Sequence, residues 1–66
     1  MSNGWDENTG LTNHAALMKY VAKMTPEALA FVRKDASEAV RANPDGRKAG
    51  YYQDLVLYCA MRQGRP

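Results

Sequence analysis

Apolar residues recur at helical spacing in three stretches of this chain, and the most apolar stretch comes last. In Ala49 to Gln63, at 100° per residue, Tyr52, Leu55, Val56 and Cys59 form one stripe. Leu57 and Met61 fall nearly opposite it, with Gly50 and Asp54, while Tyr51 and Tyr58 sit at one flank. A helix apolar on two sides needs cover on two sides. Earlier, His14, Leu17, Met18, Val21 and Met24 share one face of a shorter amphipathic pattern, with Lys19 and Lys23 opposite. Between the two, Leu29, Val32, Ala36, Ala39 and Val40 make an inward stripe and Lys34, Glu38 and Arg41 a charged outer face. Phe31 breaks that pattern, lying near Ala28 and Asp35, where an aromatic ring is either covered by the preceding arm or part of an interface; the interface is preferred.

Local signals place the boundaries. Thr12 or Asn13 can cap a first helix over 13–24. Thr25-Pro26-Glu27 starts a second over 26–42: Thr25 caps, Pro26 presets φ where no N–H is needed, and Glu27 faces the positive end of the dipole. Asn43-Pro44-Asp45-Gly46 ends it in a turn, and a third helix over 47–63 stops at Gly64. The expected fold is all-α: two to three helices, the second and third an antiparallel hairpin, preceded by a short helix. Residues 1–10 show neither period and read as a mobile, flexible arm before a single helical domain over 11–66. Trp5, the one large residue of the arm, either folds back over the helices or anchors a partner.

Size then makes self-association attractive. The chain has 66 residues, much of its apolar content is alanine, and isoleucine is absent, so a monomeric core is thin. A homodimer burying the Leu57 and Met61 side of the third helix, with Phe31 added, supplies the missing burial. Trp5, Phe31, Tyr51, Leu57, Tyr58 and Met61 are accordingly the expected protein interface.

Candidate chemistry adds little. The single cysteine excludes an internal disulfide framework and suits a reducing compartment; on an inward stripe it is inert. His14 has no second histidine with which to build a metal site, and paired carboxylates, phosphate-binding glycine loops and zinc spacings are absent, so no enzyme, metal or cofactor is expected. Asp54 within the apolar helix is expected to pair with an arginine such as Arg33 or Arg47, of its own or a second subunit, and Gly50 either lets a neighbouring helix approach closely or simply weakens the first turn. No secretory core and no run of about 18 apolar residues is present, which predicts a soluble cytoplasmic protein without membrane contact. The net charge of +2 is too small to imply nucleic acid, and a third helix bearing Tyr, Leu, Val and Met is ill suited to reading bases. Phosphate contact through Arg41, Arg47, Lys48, Arg62 and Arg65 is the alternative function, with self-assembly as a structural protein the other.

The TPEAL helix start, the NPDG turn and the YYQDLVLYCAM helix, spanning roughly Thr25 to Gln63, resemble short helical accessory proteins of tailed phages and prophages. The resemblance implies a small regulatory or inhibitory protein that occupies a surface of a host or phage protein in the host cytoplasm. It carries over no functional residue.

Overall fold

The computed structural model describes residues 3–64, which run β1 (Trp5–Asp6), β2 (Leu11–Thr12), α1 (His14–Ala22), α2 (Pro26–Ala42) and α3 (Ala49–Arg62). Most of the chain is helical, as its apolar periods predict. The stretch read as an unstructured arm carries a small antiparallel ribbon instead, with Trp5 opposite Thr12 and Asp6 opposite Leu11. Its turn is locally determined. The Asn8 N–H donates to Asp6 Oδ1 at 2.9 Å, the Gly10 N–H to the Asp6 carbonyl at 2.9 Å, and the Leu11 N–H to Thr9 Oγ1 at 3.2 Å.

Gly4 fastens this ribbon to α1. The residue is buried with φ at +97°, and a Cβ built there would meet Leu17 Cβ at 2.6 Å and Leu17 Cα at 2.8 Å. Only glycine supplies both the left-handed backbone and the missing volume. The Gly4 carbonyl accepts the Asn13 N–H at 2.7 Å, which fixes the residue that caps α1. Asn13 is that cap, its side chain accepting the Ala16 N–H at 3.1 Å; Thr12 is left to the ribbon.

The first helix stops at Ala22 rather than residue 24, because Pro26 holds Thr25 extended (φ −71°, ψ 164°) and the chain must leave helical geometry before it. Thr25 Oγ1 accepts the Ala28 N–H at 3.1 Å, and α2 then runs over the predicted residues. The third helix starts at Ala49 rather than 47, since two successive tight turns, Gly46 N–H to Asn43 O at 3.0 Å and Ala49 N–H to Gly46 O at 3.1 Å, occupy the intervening backbone.

The core is Leu17 and Val21 from α1, Leu29 and Ala36 from α2, and Tyr51, Leu55 and Cys59 from α3. Against α2, Arg33 Nη1 donates to Gln63 Oε1 at 3.0 Å, while Val40 shares a groove with Gln53 and Val56. On another flank of α3, the Thr12 hydroxyl donates to Asp54 Oδ2 at 2.6 Å, and His14 Nδ1 and the Tyr58 hydroxyl share a hydrogen bond of 2.6 Å. Within the chain Asp54 is thus held by a hydroxyl of the ribbon, not by its own Arg33 or Arg47. Gly50 approaches nothing: a Cβ there would find no atom within 4 Å.

Cover from the ribbon turns the inward face of α3 by one residue. Tyr51 is only 4% exposed, whereas Tyr52 and Val56 are partly buried. The Tyr51 hydroxyl donates to the Asn3 carbonyl at 2.8 Å, and the Trp5 ring stands edge-on to it at 5.9 Å. Burial, with smaller contributions from Tyr20, Tyr52 and Cys59, pushes the Tyr51 phenol from 10.0 up to about 12. The fold therefore prefers the neutral phenol, and the unfolded chain ionises first as pH rises. This contribution to stability is complete below pH 10.0 and is lost as pH climbs towards about 12. A set of thermal melts across that window should show a steep loss of melting temperature, reduced in Tyr51→Phe; a flat profile would place Tyr51 in solvent.

Candidate protein-binding surface

The two buried flanks of α3 leave a third flank open. Leu57 is 54% exposed and Met61, one turn later, 63%. Alongside them α1 contributes Met18, 60% exposed because Leu17 and Val21 take the inward positions of that helix. Met18, Val21, Ala22, Tyr58, Met61 and Arg62 line a shallow groove of about 180 Å³ between α1 and α3. Tyr58 is held at its edge by His14, whose ring stands nearly perpendicular at 5.9 Å. Two methionines beside a hydrogen-bonded tyrosine make an adaptable apolar surface, since thioether side chains repack around differently shaped partners. Met18 belonged to the predicted core stripe; its outward position depends on which side of α1 the ribbon covers.

The structure separates the other expected interface residues. Tyr51 is core. Trp5 is partly buried and folds back onto its own chain, with the Arg47 guanidinium 5.7 Å and the Lys48 ammonium 5.1 Å from its ring centroid. Phe31, 71% exposed, stands on a different side of the molecule. Val40, nine residues on and so about 180° round the helix, lines the groove against α3, which places Phe31 on the far side of α2. Phe31 and Met61 therefore lie on different sides of the molecule.

Basic residues are divided as well. Arg41 ends α2 and Arg47 and Lys48 precede α3, whereas Arg62 closes α3, about 20 Å away at 1.5 Å per residue. Arg47 also donates to the Glu7 carbonyl at 3.3 Å. Arg65 lies outside the described residues.

Comparison with protein-family models, curated proteins and solved structures finds no match.

Cys59 is fully buried, and burial raises its thiol above the usual 9.0, Arg33 acting in the opposite sense. A protonated, enclosed thiol is a poor nucleophile. His14 is engaged instead with the Tyr58 hydroxyl on the surface. Among the described residues no group of three or more His, Cys, Asp or Glu could hold a metal ion, and no helix is long and apolar enough to cross a membrane.

Proposed function

We propose that this chain is a small non-enzymatic protein-binding regulator, built on an antiparallel α2–α3 pair, that acts by occupying a surface of a host or phage protein in the cytoplasm. The observation carrying this reading is the exposed Met18, Leu57 and Met61 flank, grouped around Tyr58 where solvent-facing polar residues would serve a monomer better. The phage part of this reading is supported by the resemblance of the TPEAL, NPDG and YYQDLVLYCAM segments alone. The target supplies an apolar anchor that enters the Met18–Met61 groove.

The test is a pull-down from host lysate at high salt, wild type beside Leu57→Asp and Met61→Asp. Both positions are exposed, so each variant should melt within about 0.5 kcal/mol of wild type. Each should weaken capture of a specific protein by about 10- to 30-fold, the effect of removing an interface anchor. Equal capture by all three proteins would remove this surface from consideration. Nucleic-acid binding by Arg41, Arg47 and Lys48 is the competing reading, and it predicts an affinity that falls about 40-fold between 50 and 200 mM salt. Retention of nothing but nucleic acid, lost in that salt range, would replace the protein-binding reading.

A further inference from the structure

A concavity of about 620 Å³ lies where α1 and α2 diverge from the Thr25–Pro26 corner. Ala16, Tyr20, Met24 and Ala28 give it an apolar floor, and Lys19 and Lys23 stand on its rim one helical turn apart. Both lysines are exposed, and among the described residues neither ammonium has a carboxylate partner. The groove is thus built for an apolar side chain flanked by negative charge.

This chain carries that element itself. Phe31 projects from α2 with Glu27 one turn before it, Asp35 one turn after it and Glu38 a further turn along; Lys34 also borders the ring, so the ridge is acidic on balance, and all of these residues are exposed. Ala28, on the groove floor, is three residues from Phe31, so the acidic aromatic ridge and the basic-rimmed groove adjoin on one side of α2. A ridge beside its complementary groove is a self-complementary surface. A two-fold axis between them lets each copy insert its ridge into the groove of the other, making both contacts at once and closing the assembly at two chains.

We infer that this chain forms a two-fold dimer in which Phe31 of each copy enters the Lys19–Lys23 groove of the other, with Glu27 and Asp35 set against Lys23 and Lys19. The ring supplies most of the attraction, because exposed ion pairs add little, while the charges select partner and register. The proposal is independent of the target-binding reading, since it leaves the Met18–Met61 flank outside the dimer contact.

Sedimentation equilibrium at tens of micromolar tests it. Wild type should sediment at twice the 7.4 kDa chain mass, and Phe31→Ala should raise the dimer dissociation constant at least about 30-fold with helicity unchanged. Two charge-reversed chains, K19E/K23E and E27K/D35K, should each sediment as single chains, since in each case ridge and groove carry the same sign. Mixed in equal amounts they should recover the dimer, because both contacts of the mixed pair are again complementary. Because lysine at position 27 opposes the dipole of α2, circular dichroism on each separate chain confirms folding, and D35K alone provides a milder reversal. The inference is overturned if wild type sediments at the single-chain mass, or if either reversed chain dimerises as wild type does. It is equally overturned if the mixture of folded chains fails to associate, or if Met61→Asp abolishes the dimer while Phe31→Ala leaves it intact.

Discussion

Gly4→Ala is expected to destabilise the fold by about 2 to 6 kcal/mol. A side chain held at positive φ costs about 1 to 3 kcal/mol, and forcing a methyl into occupied space costs about 1 to 3 kcal/mol more. Here both costs apply, with φ at +97° and Leu17 backbone and Cβ atoms within 3 Å of the added carbon. Those atoms cannot swing aside as the tip of a long side chain would. Stability of about 0.05 to 0.15 kcal/mol per residue leaves a chain of 66 residues only about 3 to 10 kcal/mol in total, so the variant should be largely unfolded at physiological temperature. Gly50→Ala is the control: its methyl meets nothing within 4 Å, and replacing glycine inside α3 should stabilise the helix by about 0.5 to 1 kcal/mol. Thermal melts of the pair separate the two effects, and equal melting temperatures for Gly4→Ala and wild type would disprove the packing of the ribbon on α1.

Tyr51→Ala should cost about 3 to 5 kcal/mol, the range for emptying a large aromatic site in a core. The ring packs between Trp5 and the other core residues, and its hydroxyl holds the Asn3 carbonyl. Tyr51→Phe keeps the ring and forfeits only that hydrogen bond, about 1 kcal/mol. The two positions flanking the apolar stripe of α3, Tyr51 and Tyr58, therefore differ in kind. If Tyr51 served an interface, its removal would weaken association and spare the melting temperature. Chemical denaturation of Tyr51→Ala, Tyr51→Phe and wild type settles which role holds, and an unchanged midpoint for Tyr51→Ala would sink the core assignment.

What the sequence alone determined here was set by neighbours along the chain. Thr25, Pro26 and Glu27 start α2 by capping, ring constraint and dipole charge, all acting within one turn, and Pro44 with Asp45 and Gly46 ends it in the same way. A cap at Thr12 or Asn13 was legible for the same reason, the structure choosing Asn13, and so was the outward position of Leu57, Met61 and Phe31, which follows from helical angle once Leu55, Cys59, Leu29 and Ala36 face inward. Only tertiary structure decided the remainder. The ribbon has four paired residues and no alternation long enough to read, and it exists because Gly4 lies against Leu17 and because Thr12 and Asn3 find partners on α3, more than 40 residues away. Its cover then chose Tyr51 over Tyr52 as a core residue, a difference of 100° that periodicity cannot resolve when both flanks of a helix are apolar. Likewise Lys19 and Lys23 were visible as a solvated face, but the groove between them and Ala28 is made by the divergence of two helices at the Thr25–Pro26 corner, and no spacing within either helix encodes that angle.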